Sequence, residues 1–422
     1  MIKRYLLLAG YIALVLFPAG FVFPSDTDLR YLLARIFALS GASLLLLQLP
    51  LAARFKWLER VYGLDKLMRF HLWTGIIGYC LITLHGTMIL VYYWQFGWDV
   101  VVAFITPGWR WETLGLVSFL FITIIILITF IRRYSPKVPY HVWKWIHQFI
   151  YLGVLGGFFH SLFLGTQLTG GLLRWYWIGL GLLALYAFIH RRCIVPYKAK
   201  PYRVSDHQVI AKTVHHVILE PTAGAKLQHQ PGQFIFVQFQ SQGITKEWHP
   251  FTVSSAPSAQ QLTLSMKTSG DWTQTLDQLA IGSHAKIEGP YGRFSYASIP
   301  PDDFGYVFVA GGIGITPLHS MITELLAQSS AKPMTLLYSA RSVDDIAFKT
   351  EFDALAASHS NFKLVYVTGR IDQACLQKEI PEQLRQQYFI CGPKPMMKAI
   401  VKCLHNLAVP TKQIHFEEFA LN

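Results

Sequence analysis

Long apolar runs are confined to the first half of the chain, whereas the second half mixes polar and apolar positions as soluble proteins do. Six runs are long enough to cross a bilayer as helices, which takes about 20 apolar residues each. They lie at 5–24, 31–53, 70–93, 113–131, 145–165 and 173–190. The pattern therefore predicts a six-helix transmembrane bundle in residues 1–196. No small-residue cleavage site follows the first run, so we expect an uncleaved span.

The second half predicts two different sheets. Residues 200–298 contain short alternating stretches, such as 233–239 and 261–267, which indicate a small antiparallel β-barrel. From about residue 304, strand-like runs at 306–310, 335–338, 363–367 and 388–390 alternate with helical stretches, which is typical of a Rossmann-like α/β domain. The predicted domains are 1–196, 200–298 and 303–422, and proline-containing stretches separate them.

Charge is distributed as unevenly as hydrophobicity. The chain up to Arg203 holds 20 Lys and Arg against 6 Asp and Glu, whereas the remainder holds 17 against 18. Sixteen of the basic residues fall on one side of the predicted bundle, and Arg30, Arg110 and Arg174 fall on the other. Positive loops stay cytoplasmic, so we expect both termini and the soluble half inside a bacterial cytoplasmic membrane. The basic excess belongs to the membrane half, which argues against nucleic-acid binding.

Four histidines lie inside two of the predicted spans: His71 and His85 in the third, and His147 and His160 in the fifth. Ionisable residues are costly within a bilayer and usually functional. Spacings of 14 and 13 residues correspond to about 21 and 20 Å of helix, so the pairs align at two depths. This arrangement suits two bis-histidine haems stacked across the membrane. Thirteen residues leave about 140° of mismatch in an ideal helix, for which Gly153, Gly156 and Gly157 could allow distortion or close approach of a macrocycle.

These histidine pairs resemble those of the NADPH oxidase and ferric reductase superfamily. The resemblance implies two b-type haems with axial ligands His71, His147, His85 and His160. It also gives Arg35, in the outer part of the second span, a role in reducing the terminal acceptor; the alternative is an arginine that extends to the membrane interface. Animal oxidases of the family carry a histidine where this chain has Ile89, so an identical oxygen site is not expected.

The run His249-Pro250-Phe251-Thr252-Val253-Ser254-Ser255 resembles the flavin-binding strand of ferredoxin–NADP reductases in the form found in membrane oxidases. By this resemblance Phe251 lies along an FAD ring, Thr252 bonds near N5, and His249 approaches the diphosphate. The adjoining Pro250, Ser254 and Ser255 belong to the same predicted site. The stretches 231–234 and 289–292 match neighbouring parts of that fold.

A phosphate loop follows in Lys267-Thr268-Ser269-Gly270-Asp271-Trp272-Thr273. The resemblance assigns its backbone N–H groups to the FAD diphosphate, at the start of a helix. The predicted FAD-binding residues of this loop are Lys267, Gly270, Trp272 and Thr273. A Cβ at Gly270 would block the close backbone approach.

The first strand of the third domain enters Gly311-Gly312-Ile313-Gly314-Ile315-Thr316-Pro317. A glycine-rich turn between a strand and a helix lets a dinucleotide pyrophosphate approach the helix N-terminus, and Pro317 suits the first helical turn. The predicted contacts here are Gly311, Gly312, Gly314, Thr316 and Pro317. Arg341 favours NADPH over NADH through its 2′-phosphate, although an exposed structural arginine is nearly as good an interpretation.

Cys391-Gly392-Pro393 resembles the turn that lies beside the nicotinamide in the same superfamily. A buried structural cysteine is the alternative for Cys391. An aromatic residue near the C-terminus covers the flavin in these proteins, and Phe419 is the candidate here.

The resemblance therefore implies an NAD(P)H oxidase that moves electrons through FAD and two haems to reduce dioxygen outside the membrane to superoxide. A ferric-chelate reductase with the same electron path is the first alternative. An electron-carrier subunit that feeds a partner protein is the second. No EF-hand loop or docking segment for a cytosolic subunit is evident, so we expect activity without calcium or an activating partner.

Overall fold

The computed structural model describes residues 2–22, 28–106, 110–135, 138–224 and 226–417. The chain forms two compact units, of which the first comprises 1–62 with 66–194 and the second comprises the rest. The predicted boundary of the membrane domain at residue 196 lies close to this division. The finer limits of the three domains stay predictions.

The regular secondary structure described in the first unit is helical. Its helices are α1 Ile2–Leu16, α2 Leu29–Ala52, α3 Lys56–Tyr62, α4 Leu64–Trp94, α5 Trp98–Ile105, α6 Trp111–Tyr134, α7 Tyr140–Gln148, α8 Ile150–Leu164 and α9 Gly171–Ile189. Within the described ranges, six helical spans are long and apolar enough to cross a membrane, namely Lys3–Phe21, Leu29–Ala52, Leu64–Trp94, Trp111–Tyr134, His141–Leu164 and Gly171–Tyr197. The predicted six-helix bundle is confirmed.

The second span, α2, is the most buried helix of this unit. Half of its apolar window is buried inside the protein, against 28% or less for the other spans. Gly41 on α2 and Gly78 on α4 face each other, since a Cβ at Gly78 would lie 3.0 Å from Leu44 Cβ and one at Gly41 would lie 3.1 Å from the Gly78 carbonyl oxygen. Small residues allow such close approach of transmembrane helices.

The second unit begins with a six-stranded antiparallel sheet. Its strands are β1 Lys200–Ala211, β2 Val214–Pro221, β3 Phe234–Gln240, β4 His249–Thr252, β5 Leu262–Lys267 and β6 His284–Tyr291. Their order is β4-β3-β6-β1-β2-β5, and a bridge between Val253 and Leu264 brings the two outer strands together. A one-turn helix, α11 Asp271–Gln274, follows β5; α10 is Val195–Tyr197.

A five-stranded parallel sheet follows. Its strands are β7 Gly305–Gly311, β8 Met334–Ala340, β9 Phe362–Thr368, β10 Gln386–Cys391 and β11 Ile414–Glu417, in the order β11-β10-β7-β8-β9. The helices are α12 Ile315–Ala327, α13 Lys349–Ser358, α14 Gln373–Glu379 and α15 Lys394–Asn406. The central strand β7 is buried at every position, as expected of a parallel strand covered on both faces. The predicted antiparallel and α/β folds are both confirmed.

Candidate functional site

The structure brings the four membrane histidines together in two pairs. His71 and His85 lie on α4, His147 is on α7 and His160 is on α8. His71 is close enough to His147 for an electrostatic interaction, and the same holds for His85 and His160. These are the pairs that their depths in the spans predict. Their role as haem ligands stays a prediction.

Three of these imidazoles are held through Nδ1. The Nδ1 of His85 lies 3.0 Å from the Ala34 carbonyl oxygen, and that of His160 lies 2.7 Å from the Trp111 carbonyl oxygen. A carbonyl only accepts, so each Nδ1 carries the proton and each Nε2 keeps its lone pair. Metal-ligating histidines are usually oriented by such a bond from the other ring nitrogen.

In the inner pair, only His147 has a hydrogen-bond partner on Nδ1 within the described part of the chain. The Nδ1 of His147 lies 3.4 Å from the hydroxyl of Thr129, which donates its own proton to the Ile125 carbonyl and accepts one from the Trp143 indole. The Nδ1 of His71 is buried and has no hydrogen-bond partner among the described residues. The bond to Thr129 therefore leaves Nε2 of His147 available.

The fifth span is interrupted between its two histidines. Helix α7 ends at Gln148 and α8 begins at Ile150, with Phe149 between them. The N–H of Phe149 bonds to the carbonyl of Ile146, and the N–H of Leu152 bonds to that of Phe149, both three residues back. Such winding advances about 120° per residue instead of 100°. Each residue wound this way adds about 20° of rotation about the helix axis. It therefore reduces the angular mismatch that thirteen residues of ideal helix would leave between His147 and His160.

The glycines of this span have two different surroundings. A Cβ on Gly153 would lie 2.5 Å from Ile122 Cγ1, and one on Gly156 would collide with Ser118, so both glycines let α8 pack against α6. A Cβ on Gly157 would meet nothing within 4 Å. Only Gly157 of the three borders open space, so close approach of a large ligand is a role for it alone.

Glycine also makes room for a histidine ring. A Cβ on Gly115 of α6 would lie 2.5 Å from Nδ1 and 2.6 Å from Cε1 of His160. Only a glycine there leaves the imidazole in its observed position. No motif in the sequence marks Gly115 for this role.

Arg35 lies next to the outer histidine pair. It follows Ala34, whose carbonyl holds His85. The Nε and Nη2 atoms of Arg35 are buried and have no hydrogen-bond partner among the described residues, and its Cζ lies 5.1 Å from the centre of the Tyr31 ring. A guanidinium with two buried nitrogens that lack a hydrogen-bond partner is suited to an anion that binds here.

In the second unit, the predicted flavin strand is an outer strand of its sheet. Strand β4 pairs only with β3 in the ladder, with Phe251 opposite Ile235. His249 stacks on Trp272 at a centroid distance of 3.9 Å, and its Nε2 lies 3.5 Å from Glu247. Phe251 faces the same indole at 5.9 Å. Thus two predicted FAD-binding segments, β4 and the loop before α11, come together at Trp272.

Two other predicted residues of this segment, Ser254 and Ser255, make hydrogen bonds to the neighbouring strand β5. The hydroxyl of Ser254 lies 2.9 Å from that of Thr263 and 3.1 Å from that of Ser265. The hydroxyl of Ser255 accepts from the Thr263 N–H at 3.1 Å. Both serines are buried, so their side chains are engaged inside the protein, and their contact with FAD stays a prediction.

The predicted phosphate loop is closed on itself by Thr273. The threonine hydroxyl oxygen accepts from the N–H groups of Ser269 and Gly270 at 2.8 and 2.9 Å. These are backbone groups that the sequence analysis expected to hold a phosphate. A Cβ on Gly270 would meet nothing within 4 Å, so any crowding there would come from a bound ligand. Lys267 is exposed at the end of β5.

The glycine-rich turn and the Cys391-Gly392-Pro393 turn lie against each other. A Cβ on Gly314 would come within 2.5 Å of the Cys391 carbonyl carbon, and one on Gly392 would lie 3.0 Å from Gly311 Cα. Gly312 has a φ of +53° and faces open space. The hydroxyl of Thr316 bonds to the Ile313 carbonyl, and Pro317 lies in the first turn of α12 as predicted.

Cys391 ends β10 and is completely buried. Its Sγ lies 3.8 Å from the carbonyl oxygen of Glu417. Burial, followed by the negative charge of Glu417, raises the pKa of the Cys391 thiol well above its usual value, so the group stays a thiol at neutral pH. A nucleophilic or metal-binding thiolate is therefore not what this position provides.

Glu417, which no sequence pattern marked, lies beside two of the predicted site segments. Its Oε1 lies 3.5 Å from the position of a Cβ on Gly292, in the turn that ends the barrel, and its backbone pairs with Cys391. Glu417 is therefore a candidate for the predicted cofactor site. Phe419, proposed to cover the flavin, lies outside the described residues. Arg341 is exposed after β8, and the choice between NADPH and NADH stays a prediction.

Comparison with protein-family profiles gives three matches in order along the chain. Residues 37–158 match "Ferric reductase like transmembrane component", residues 200–295 match "FAD-binding domain", and residues 308–402 match "Oxidoreductase NAD-binding domain". Among described residues, no group of three or more His, Cys, Asp or Glu side chains is arranged to hold a metal ion. A bis-histidine haem takes only two protein ligands, so that absence does not bear on it.

Two of the similar proteins are reductase subunits by name. The chain is 29% identical over 238 residues to the stachydrine N-demethylase reductase subunit of Rhizobium meliloti (strain 1021), covering 52% of this chain and 67% of that protein. It is 28% identical over 208 residues to the glycine betaine monooxygenase reductase subunit of Chromohalobacter salexigens, covering 45% and 56%. The chain thus spans about half to two thirds of these relatives. The FAD/NAD-binding domain of a Vibrio cholerae nitric oxide dioxygenase aligns with a TM-score of 0.47 and 24% identity, covering 52% of this chain and 98% of that one.

The chain thus combines six helices that can span a membrane with a region similar to ferric reductase transmembrane components, and with FAD-binding and NAD-binding domains of the oxidoreductase kind. Its ferric-reductase-like membrane domain, FAD-binding domain and NAD-binding domain give it the architecture of the NADPH oxidase and ferric reductase superfamily.

Proposed function

We propose that this protein is a transmembrane NAD(P)H oxidase that moves electrons from NAD(P)H through FAD and two b-type haems, and reduces dioxygen outside the membrane to superoxide. The observation that carries the proposal is that two pairs of histidines lie at two levels of the bundle. In three of the four rings Nδ1 has a hydrogen-bond partner, which leaves Nε2 free. Bound FAD would convert the hydride of NAD(P)H into single electrons, and haems would carry these one at a time.

The chain's own residues would fix the axial ligands. His71 with His147, and His85 with His160, would each offer two Nε2 atoms. The carbonyls of Ala34 and Trp111 hold the outer rings in one tautomer, which keeps the lone pair on the outward nitrogen. No described side chain needs to act as an acid or base for this transfer.

The membrane orientation belongs to the same proposal. Sixteen basic residues on one side of the bundle support a cytoplasmic location for both termini and for the FAD and NAD domains. His85, His160 and Arg35 would then lie in the outer half of a bacterial cytoplasmic membrane. Electrons would leave the protein near the Arg35 guanidinium, which would attract an anionic group or stabilise the charge of superoxide.

A ferric-chelate reductase with the same electron path is the second candidate. Two observations favour it: the buried Ile89 stands where animal oxidases carry a histidine, and the Arg35 guanidinium, whose buried Nε and Nη2 have no hydrogen-bond partner among the described residues, suits an anionic chelate. The third candidate is an electron carrier that feeds a partner protein, as the reductase subunits among the relatives do by name.

Purified protein with FAD and NADPH distinguishes these candidates. Consumption of NADPH is followed under air, under argon, and under argon with a ferric chelate. Dye reduction that superoxide dismutase suppresses, and that stops under argon, supports the oxidase. Activity only with iron contradicts the oxidase and supports the second candidate, and reduced flavin and haem without either activity support the third. Calcium and cytosolic extracts are left out, because we propose activity without them.

A further inference from the structure

Trp143 lies one helical turn before His147 on α7, so the two side chains share a face of that helix. The indole ring stacks beside the imidazole at a centroid distance of 5.3 Å and an interplanar angle of 27°. Its N–H donates to the hydroxyl oxygen of Thr129 on α6 at 3.1 Å. The same oxygen lies 3.4 Å from Nδ1 of His147. Trp143 therefore contacts both the proposed inner ligand and the group that holds this ligand.

The direction of each bond at the Thr129 hydroxyl is fixed by its partners. The single hydroxyl hydrogen is donated to the carbonyl of Ile125 at 2.8 Å, because a carbonyl oxygen only accepts. An indole N–H only donates, so Thr129 accepts from Trp143. With its own hydrogen used, the hydroxyl is also the acceptor towards His147, whose Nδ1 carries the proton. Two N–H donors thus converge on one oxygen.

These two donors weaken each other. Both hydrogens carry partial positive charge and draw on the electron density of the same oxygen, so each one limits the approach of the other. The indole makes the shorter bond, at 3.1 Å against 3.4 Å for the imidazole. The outer rings of His85 and His160 instead donate to backbone carbonyls at 3.0 and 2.7 Å. The long bond of His147 is therefore specific to the inner pair.

The indole is also fixed from the opposite helix. The Cζ of Arg132 lies 4.9 Å from the centre of the Trp143 ring, in a cation–π contact. Arg132 follows Thr129 by three residues on α6, so both contacts come from one face of that helix. The N–H of Trp143 is thereby kept directed at the Thr129 oxygen.

We propose that Trp143 is a positioning residue that sets the reduction potential of the inner haem, by limiting the hydrogen bond from His147 to Thr129. A stronger bond from Nδ1 makes an imidazole more basic and a better electron donor to iron. Such a ligand stabilises ferric over ferrous iron and lowers the potential. By occupying the same oxygen, Trp143 keeps this bond long and the potential higher. The inference rests on the inner haem of the proposed function and is independent of the terminal acceptor.

The test is a redox titration of full-length protein that carries FAD and haem, followed by absorbance without oxygen. The inner haem is identified as the one retained in His85→Ala. Trp143→Phe keeps a ring beside His147 but removes the N–H, so the bond from His147 to Thr129 should shorten. We expect the equilibrium constant for one-electron reduction of the inner haem to fall roughly two- to fivefold, which lowers its potential by about 20 to 40 mV. The outer haem should titrate as in the wild type.

Thr129→Val should shift the potential in the opposite direction. Valine keeps the shape of the side chain and removes the acceptor, so the potential of the inner haem should rise. Thr129→Ser keeps the hydroxyl and should restore the wild-type value. The double variant Trp143→Phe with Thr129→Val should match Thr129→Val alone, because Trp143 acts through the hydroxyl.

Trp145→Phe is the matched control on the same helix. Trp145 is exposed and meets Phe149 edge-on at 4.6 Å. Its replacement should leave both potentials unchanged.

Three results would overturn the proposal. They are an inner-haem potential that is unchanged or higher in Trp143→Phe, a lowering that persists in the double variant, and an equal lowering in Trp145→Phe. Wild-type protein without haem would overturn this inference together with the proposed function. Two haems without superoxide production would count against the oxidase alone and leave the titration to decide the role of Trp143.

Discussion

The Nδ1 of His85 lies 3.0 Å from the carbonyl oxygen of Ala34, and Arg35 is the next residue along α2. One turn of the second span therefore orients an imidazole of the outer pair and carries a buried guanidinium without a hydrogen-bond partner on Nε or Nη2. The backbone bond links the proposed outer ligand to the proposed exit of electrons. A movement of His85 would therefore displace the helical turn that carries Arg35, and the reverse also holds.

Arg35 gives the first prediction. Arg35→Ala should lower the rate of acceptor reduction at least about tenfold, equal to about 1.4 kcal/mol of activation free energy, because a preorganised positive charge is lost where negative charge arrives. Reduction of the flavin by NADPH should be unchanged. Steady-state acceptor kinetics and anaerobic flavin reduction measure the two steps. Arg30→Ala is the control, because Arg30 lies five residues before Arg35 and its charge is paired with Asp28 at 2.5 Å. An equal loss of rate in both variants would show that the effect is not specific to Arg35.

Gly115 gives the second. In Gly115→Ala the new Cβ would lie 2.5 Å from His160 Nδ1, so the ring must shift and its bond to the Trp111 carbonyl must lengthen. We expect loss of the outer haem or a changed midpoint potential for it, with the inner haem unaffected. A redox titration followed by absorbance measures this.

The matched control is Gly179→Ala on α9, where a Cβ would meet nothing within 4 Å. It should titrate as the wild type does. A wild-type titration of Gly115→Ala as well would contradict the assignment of His160 as a ligand.

Gly270 tests the position of FAD. A Cβ there meets no protein atom within 4 Å, and the backbone φ of −164° is open to any residue. Gly270→Ala should therefore leave the thermal unfolding of FAD-free protein unchanged and weaken FAD binding roughly tenfold through contact with the ligand. Fluorescence titration with FAD measures the affinity. Unaltered affinity would place the cofactor away from this loop.

The bond between Glu324 and Ser258 joins the NAD-binding domain to the FAD-binding domain, and we expect it to weaken in acid. Burial opposes the charge of Glu324, yet the donors on Ser258 and Gln328 outweigh burial and lower the pKa of the carboxyl. A carboxylate whose pKa is lower in the folded state stabilises the fold above its usual pKa of 4.5, and this stabilisation is lost as pH falls below that value.

The temperature of thermal unfolding, monitored through the release of FAD, should therefore fall in acid. Glu324→Gln should largely remove this fall. The variant should also be less stable than the wild type at neutral pH. Glu382→Gln, at an exposed position, is the control and should retain the wild-type acid profile. An acid drop of the same size in Glu324→Gln would mean that other carboxylates cause it.

The fold followed closely from hydrophobic pattern. The fourth span was expected at 113–131 and is observed at Trp111–Tyr134. The third was expected to begin at residue 70 but begins at Leu64, because Lys66 and Arg69 lower the local hydropathy without interrupting a helix. The short α5, Trp98–Ile105, was not predicted, since eight residues are too few to give a distinct membrane pattern.

The candidate sites were predictable as segments but less so in their contacts. The histidine pairing could be predicted because helical rise fixes depth. The interruption at Phe149 could not, as neither proline nor glycine marks it. The stacking of His249 on Trp272 and the bond of His319 to the Ser254 carbonyl join residues 23 and 65 positions apart in the chain. Such contacts depend on how strands and helices pack, which no local pattern encodes.

The central claim, that two histidine pairs each hold a haem, is tested most directly by haem content per chain, measured as the pyridine haemochrome of purified protein. We expect two haems in the wild type and one in either His85→Ala or His160→Ala, with anaerobic reduction of FAD by NADPH retained. Two haems per chain in both of these variants, or none in the wild-type protein, would contradict the account.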